Sequence, residues 1–180
     1  MKTLIVNGSH RKYGNTWRLS RLAHAIALRN ESDSEILDLI ETPFEFCNGC
    51  LECEETGLCV IPDIFTEKFF PKLMEADKLI FASPVYFNMP TAVMKSFIDR
   101  TNCLCEFFTE NTKTAHLFLV GQADEESLKA SQRCFQEYFD IMGFDSDAPQ
   151  ILRIAREPDE LQMDTGITEV IESWFLGSFN

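Results

Sequence analysis

Four cysteines lie close together in the chain, at Cys47, Cys50, Cys53 and Cys59. Their spacing, Cys-x2-Cys-x2-Cys-x5-Cys, curves four thiolates around one centre. Ferredoxins hold [4Fe–4S] clusters with a similarly compact run, whereas zinc sites more often use two separated Cys-x2-Cys pairs. The spacing therefore favours an iron–sulfur cluster, and zinc and free thiols are the two alternatives.

Glycine and glutamate residues accompany these cysteines. Gly49 and Gly57 let the backbone wrap closely around a bound group. Glu52, Glu54 and Glu55 add negative charge, which lowers the reduction potential of a cluster and does not help the thiols ionise. The remaining cysteines are expected to be ordinary buried side chains: Cys103, Cys105 and Cys134.

A second polar group occupies residues 8–16, Gly-Ser-His-Arg-Lys-Tyr-Gly-Asn-Thr, between a predicted strand and a predicted helix. Glycines, hydroxyls and basic side chains at a helix N-terminus favour an anion. The segment lacks the Gly-Lys-Ser/Thr of a Walker A loop and the Gly-x-Gly-x-x-Gly of a dinucleotide fingerprint. A terminal monophosphate suits it best, and a polar connection without ligand is the alternative. The candidate binding residues are Ser9, Arg11, Asn15, Thr16 and Trp17.

Residues 83–90, Ser-Pro-Val-Tyr-Phe-Asn-Met-Pro, form a second candidate binding loop. A loop bounded by prolines and carrying two aromatic side chains can flank a planar ring. It follows the third predicted strand, at the edge where parallel sheets bind their ligands. The aromatic side chains are Tyr86 and Phe87, and Gly121 after the fourth strand lies at the same edge of the predicted sheet.

Strands and helices alternate along the chain. Apolar runs predict strands at 2–7, 34–39, 78–82, 115–120 and 149–154. About five helices separate or follow them, so the pattern predicts an α/β fold, a three-layer, doubly wound, five-stranded parallel sheet of the flavodoxin-like kind. The stretch from about 40 to 61, which carries the four cysteines, is predicted to be a long functional loop.

Several residues are predicted to set the limits of strands and helices. Asn15 or Thr16 is expected to cap the first helix, and Ser83-Pro84 to end the third strand. A helix is expected to begin near Pro62 and to be interrupted at Pro71, and Pro90 is expected to open the next one. We expect Asp99 and Arg100 to form an ion pair on the surface of that helix.

Length and charge narrow the function classes. The 180 residues suit one domain spanning 1–180, and the formal net charge of −13 disfavours nucleic acid and anionic membranes as partners. The charge serves solubility in the simplest interpretation, and it would attract a basic protein partner. We see no signal peptide and no apolar stretch of membrane-spanning length. With seven cysteines, this predicts a cytoplasmic protein with reduced thiols.

The motifs resemble those of one known family. Residues 8–16 resemble the FMN phosphate loop of the NADPH-dependent FMN reductase family, Gly-Ser-x-Arg-x-x-Gly-Asn-Thr, with His10 where that family often has proline. The segment from 83 to 100 is also similar, and the resemblance implies flavin-ring contacts at Pro84, Val85, Tyr86, Phe87 and Asn88, with Gly121 on a third contact loop. The cysteine spacing resembles that of the iron–sulfur flavoproteins of anaerobes, a branch of the same group. The resemblance covers about residues 1–125.

This resemblance implies a function. It implies that FMN binds at the two loops and that electrons pass between FMN and a [4Fe–4S] cluster, with no dedicated acid–base residue. Alternatives are an NAD(P)H-dependent FMN or quinone reductase without a cluster, and a zinc-binding or thiol redox-sensing interaction protein. The implied partners are a redox protein or a small-molecule acceptor, NAD(P)H, and further copies of the chain in a homodimer or homotetramer with the cysteine loop near a subunit interface.

Overall fold

The computed structural model of this chain describes residues 1–108, 113–158, 160–161 and 164–176. Its centre is a sheet of five parallel strands in the order β2-β1-β3-β5-β6, with the short β4 paired antiparallel to β3. The strands are β1 (Lys2–Asn7), β2 (Asp33–Asp38), β3 (Lys78–Tyr86), β4 (Met89–Pro90), β5 (Thr114–Gly121) and β6 (Ile151–Ile154). The five parallel strands are the five predicted ones, and their order is that of a flavodoxin-like sheet.

Helices cover both faces of the sheet. They are α1 (Asn15–Arg29), α2 (Glu52–Thr56), α3 (Phe70–Glu75), α4 (Ala92–Arg100), α5 (Cys105–Phe108), α6 (Glu125–Met142) and α7 (Thr165–Leu176). A π-helix at Phe65–Phe69 leads into α3, and a 3₁₀ turn at Thr101–Leu104 follows α4. Within the described residues, no helix has the length and the apolar character that crossing a bilayer requires.

Alternate residues of each strand supply two separate cores. Leu4 and Val6 of β1 face a core with α3, α4 and α6, whereas Ile5 between them faces a core with α1 and α7. The first core is rich in aromatic side chains: Phe81 packs against Phe135, Tyr138 and Phe139, with ring centroids 5.3–6.1 Å apart. The cysteine loop and α4 therefore lie on the opposite side of the sheet from α1.

Strand β3 is longer than predicted. The sequence suggested an end at Ser83-Pro84, but β3 continues to Tyr86 and turns back into β4. Pairing between β1 and β3 ends at Ala82, so Pro84 pairs only with Val120 of β5. A residue before proline also favours extended backbone, so Ser83 fits a strand as well as a loop. The loop predicted at 83–90 is therefore a hairpin.

Two predicted helix limits were wrong. The N-cap of α1 is Gly14, and Asn15 and Thr16 lie inside the first turn, where the Asn15 side chain bonds the segment after β6. Helix α4 begins after Thr91, whose Oγ1 accepts from the N–H of Met94 at 3.4 Å, and not at Pro90. The helical segment before α3 begins near Pro62, as predicted, and Asp63 caps it, since its Oδ1 accepts from two backbone N–H groups. Pro71 lies where the π-helix gives way to α3, as predicted.

Candidate functional site

A cleft of about 370 Å³ opens at the carboxyl edge of the sheet. The connections after β1, β3, β5 and β6 form its walls, which is where doubly wound sheets bind ligands. All of the predicted cofactor-contact residues except Trp17 and Asn88 line it: Ser9, Arg11, Asn15, Thr16, Pro84, Val85, Tyr86, Phe87 and Gly121. The structure therefore brings together residues that the sequence selected from three separate segments.

One end of the cleft is the N-terminus of α1. Gly14 caps this helix without a side-chain hydrogen bond, and the first turn carries no acidic residue. The N–H groups of the first turn therefore lack a side-chain acceptor, which leaves them for an anion. Arg11 takes part in no ion pair within the described ranges. This end of the cleft suits a phosphate.

The loop that carries Arg11 is held by hydrogen bonds between its own residues. Ser9 Oγ donates to the carbonyl of Arg11 at 3.1 Å and accepts from its N–H at 3.2 Å. The N–H of Gly14 donates to the same carbonyl at 3.2 Å. Below the loop, Thr91 Oγ1 donates to the carbonyl of Gly8 at 2.9 Å. A Cβ on Gly8 would lie only 2.9 Å from this Thr91 Oγ1. Glycine is therefore required where the first loop meets the hairpin.

The opposite wall is the β3–β4 hairpin. Its two central residues, Phe87 and Asn88, have φ angles of +51° and +62°, as in a type I′ turn. Phe87 is fully exposed at the rim of the cleft, and Tyr86 is half exposed. A bulky residue with positive φ is strained, and such strain is most often found at binding sites. The hairpin presents two rings suited to packing on a planar ligand.

A fourth wall was missed by the sequence analysis. Residues 155–158, which follow β6, also line the cleft and include Arg156. Asn15 fastens this segment: its Nδ2 donates to the carbonyl of Glu157 at 2.6 Å, and its Oδ1 accepts from the N–H of Leu161 at 3.3 Å. The only signal in the sequence was the position of these residues directly after the fifth strand.

Two predicted contacts lie outside the cleft. The indole of Trp17 packs between Tyr13, at a centroid distance of 4.9 Å, and the guanidinium of Arg21, at 4.2 Å. It lines a neighbouring cleft with Leu161. Asn88 occupies the turn of the hairpin without lining the cleft. In both cases the adjacent residue along the chain lines the cleft and this side chain does not.

The four predicted metal ligands line a second, smaller cleft. Cys47 and Cys50 are exposed, whereas Cys53 and Cys59 are half buried. Asn102 Nδ2 donates to Cys53 Sγ at 3.6 Å. The predicted loop around them contains one short helix, α2. Across the described ranges, no group of three or more His, Cys, Asp or Glu side chains has metal-binding geometry. The four thiols therefore share a cleft without forming a coordination sphere.

Arg100 corrects the expectation of a surface ion pair with Asp99. Its side chain is fully buried, and both Nη atoms bond the carboxylate of Asp63, at 2.8 and 2.9 Å. Asp99, in contrast, pairs with Lys95 on the helix surface. Burial disfavours the charged form of Asp63, but hydrogen bonds from Arg100 and from two backbone N–H groups outweigh it and hold the pKa of Asp63 below its usual value. The pair ties α4 to the segment that follows the cysteine loop.

A fifth cysteine also borders the second cleft. Cys103 is buried, as predicted, and its Sγ donates to the carbonyl of Arg100 at 3.3 Å. Burial, with the nearby Cys59 and Cys53, raises the pKa of the Cys103 thiol to about 12. The prediction of burial was wrong for Cys105 and Cys134, which are partly exposed.

Comparison with known proteins gives consistent matches. The family model for NADPH-dependent FMN reductases matches residues 1–146. An iron–sulfur flavoprotein of Methanocaldococcus jannaschii is 35% identical over 121 residues, which cover 67% of this chain and 62% of that protein. The chain therefore spans less than two thirds of that relative's length.

Solved structures agree on the fold. RosB with a bound 8-demethyl-8-formylriboflavin-5'-phosphate intermediate superposes with a TM-score of 0.76 at 17% identity, covering 97% of this chain and 76% of that one. A flavodoxin from the domain Archaea gives a TM-score of 0.60 at 16% identity, covering 97% and 99%. The likeness to these two shows a shared flavodoxin-like fold. Because the family model spans most of the sequence, the chain belongs to the family of NADPH-dependent FMN reductases.

Proposed function

We propose that this chain is an FMN-binding redox protein that passes electrons between FMN and a [4Fe–4S] cluster on Cys47, Cys50, Cys53 and Cys59. The observation that carries the proposal is the single small cleft lined by all four of these cysteines. Membership of the family supports FMN as the flavin and redox chemistry as the activity. The name of the relative from Methanocaldococcus jannaschii, an iron–sulfur flavoprotein, supports the cluster.

The larger cleft fits FMN by its donors and its shape. The first turn of α1 and the guanidinium of Arg11 would hold the phosphate, and Thr16 offers a hydroxyl at the same end. Tyr86 and Phe87 would flank the flavin ring, and Gly121 leaves room for close approach on the third wall. Bound flavin supplies hydride acceptance and one-electron release, while the protein supplies binding and orientation.

The smaller cleft fits a cluster by the chemistry of its donors. Four cysteine thiolates are the usual ligand set of a [4Fe–4S] cluster. Beside them lie the amide of Asn102 and the buried guanidinium of Arg100, whose Nε–H has no nitrogen or oxygen acceptor and which lies within hydrogen-bonding range of Cys59. Donors directed at sulfur are a common part of such sites. Cys47 and Cys50 are exposed on a loop with positive φ at Gly49 and Leu51, and a shared cluster would require them to approach the half-buried Cys53 and Cys59.

A second candidate is an NAD(P)H-dependent FMN or quinone reductase in which the cysteines hold no cluster. The observation in its favour is that the thiols do not form a metal-binding group in the described ranges. The family description also supports NADPH as an electron donor. This candidate uses the larger cleft in the same way and differs only at the cysteine loop.

Partners and location follow from the same chemistry. We propose that a redox protein or a small molecule accepts the electrons, that NAD(P)H donates them, and that the chain forms a homodimer or homotetramer. Exposed apolar side chains around the cysteine loop support an interface there: Phe46, Leu51, Leu58 and Val60. Seven cysteines in a chain of this length support a reducing compartment, for which we propose the cytoplasm.

Anaerobic purification followed by visible spectroscopy and by iron, sulfide and zinc analysis tests the proposal. We expect flavin bands together with broad brown absorption, and iron and sulfide in equal amounts. In Cys50→Ser the iron and sulfide should be lost while FMN remains, and the matched control Cys134→Ser should keep both.

Each of the other outcomes points to a different function. Flavin without iron or sulfide, together with NAD(P)H oxidation, would favour the simple reductase. Zinc in place of iron would favour a structural or sensing loop. Protein that binds no added FMN would contradict the central claim.

A further inference from the structure

Arg100 is the most completely buried cation in the described part of the chain, and the FMN cleft does not use it. Its side chain is 0% exposed, and it ends α4 beside the cysteine cleft. Its planar guanidinium also lies over the ring of Phe65, 4.6 Å from the centroid. A charge held this deeply requires partners for its N–H groups, since water cannot reach them.

The two Nη atoms of Arg100 have those partners. Nη1 donates to the carbonyl of Glu45 at 2.7 Å and to Asp63 Oδ2 at 2.8 Å. Nη2 donates to Asp63 Oδ1 at 2.9 Å and to Thr66 Oγ1 at 3.2 Å. These four bonds fix the plane of the guanidinium and use all four N–H groups of Nη1 and Nη2.

The Nε–H of Arg100 is the remaining donor of the guanidinium. It is buried and has no nitrogen or oxygen acceptor, and the guanidinium lies within hydrogen-bonding range of the Cys59 thiol. Buried N–H groups are nearly always paired. Since Arg100 lines the cysteine cleft beside Cys59, a sulfur of that cleft is the acceptor available to this N–H.

The charges around the cleft affect how easily a cluster bound there would be reduced. Asp63 lies at the Nη end of the guanidinium, so the ion pair is a dipole whose positive end is nearer the cysteines. The loop itself carries Glu52, Glu54 and Glu55 near the thiols. A reduced cluster has one more negative charge than an oxidised one, so a fixed positive end stabilises the reduced form, and hydrogen bonds to sulfur do the same.

We propose that Arg100 is a positioning residue of the cysteine site, which donates its Nε–H to a sulfur there and raises the reduction potential of the bound cluster. This inference rests on the proposed function, because it requires a cluster on the loop cysteines. Arg100 is distant from the loop cysteines in sequence, and its guanidinium is not itself a metal ligand.

The first test measures the native protein. The chain is produced with arginine labelled with ¹⁵N, the cluster is reduced, and its spin is examined by pulsed electron paramagnetic resonance. A ¹⁵N coupling from arginine is expected in the wild type and not in Arg100→Lys. A cluster without any arginine coupling would overturn the inference and leave the proposed function standing. Absence of iron and sulfide from the wild type would overturn both.

The second test measures the potential by anaerobic redox titration. Arg100→Lys keeps the charge but has no Nε–H, and the double variant Arg100→Gln with Asp63→Asn replaces the pair by neutral groups. Each is expected to hold iron and sulfide and to have at least a tenfold lower reduced-to-oxidised ratio, about 59 mV for a one-electron couple. Arg29→Gln, on the other side of the sheet, removes an exposed charge and should leave the potential unchanged. Equal potentials in all four proteins would overturn the inference.

Discussion

The side-chain amide of Asn15 donates a hydrogen bond to the backbone carbonyl of Glu157 over 2.6 Å. The same side chain accepts from the N–H of Leu161 at 3.3 Å. One residue therefore joins the start of α1 to the segment after β6, two walls of the cleft that are far apart in sequence. Because both walls meet the ligand, their relative position decides how well the cleft is formed before binding.

Removing this link should weaken flavin binding. Asn15→Ala loses two hydrogen bonds, each worth about 1 kcal/mol net, so we expect the Kd for FMN to rise about tenfold. Fluorescence quenching of FMN on titration with apoprotein measures it. Asn30→Ala is the matched control, since Asn30 bonds the carbonyl of Ile26 at the other end of the same helix and does not line the cleft. Equal affinity in Asn15→Ala and wild type would show that the two walls hold their positions independently.

The phosphate end of the cleft allows a prediction that separates phosphate from ring. Arg11→Ala removes a cation and Thr16→Ala a hydroxyl, and a charge-assisted hydrogen bond is worth about 1.5–3 kcal/mol. We expect FMN affinity to fall roughly ten- to hundredfold in Arg11→Ala, and less in Thr16→Ala. Riboflavin lacks the phosphate, so its affinity should be the same in all three proteins. Unchanged FMN affinity in both variants would remove the phosphate-loop assignment.

The sequence was sufficient to predict the sheet and most of the larger cleft. Buried parallel strands appear as short apolar runs, such as Leu4-Ile5-Val6, and their parallel arrangement follows from the alternation with helices. Once the strands are known, their carboxyl ends define the cleft. The residues directly after β1, β3 and β5 could therefore be named without a structure.

Other features depend on contacts between residues distant in sequence. Arg100 looks like a surface residue of an amphipathic helix, and its partner Asp63 lies 37 positions away. No local pattern contains such a pairing, so the burial of this charge required the structure.

His116 gives a pH-dependent stability. It is buried, both ring nitrogens lack a hydrogen-bond partner, and the ring stacks on Trp174 with centroids 4.3 Å apart. Burial, with the charge of Lys78 beside it, lowers the pKa of His116 to about 3. The unfolded chain takes up a proton near pH 6.5 and the folded chain only near 3, so acidification between these values favours unfolding.

We therefore expect wild type to lose about 2 kcal/mol more of its free energy of unfolding than His116→Phe between pH 7 and pH 5. Phenylalanine keeps a flat ring against Trp174 but does not titrate. Urea unfolding of the apoproteins at the two pH values measures the difference. Parallel losses in the two proteins would mean that His116 is protonated in the folded state or neutral in both states.

In the turn of the β3–β4 hairpin, we expect the residues that favour stability to differ from those that favour FMN binding. Phe87 and Asn88 both have positive φ, and Asn-Gly is the pair that type I′ turns prefer. A left-handed conformation costs a non-glycine residue about 1–2 kcal/mol, so Asn88→Gly should stabilise the apoprotein by about 1 kcal/mol. Since Asn88 does not line the cleft, FMN affinity should stay the same. Urea unfolding and FMN titration measure the two quantities.

Adding Phe87→Asn to Asn88→Gly should increase stability again, because asparagine tolerates positive φ better than phenylalanine. It also removes a fully exposed ring from the rim of the cleft. An aromatic contact is worth about 0.5–1.5 kcal/mol, so we expect FMN affinity to fall roughly two- to tenfold while stability rises. A double variant that binds FMN as tightly as wild type would show that the Phe87 ring does not contact the flavin, and that its strained conformation serves another contact.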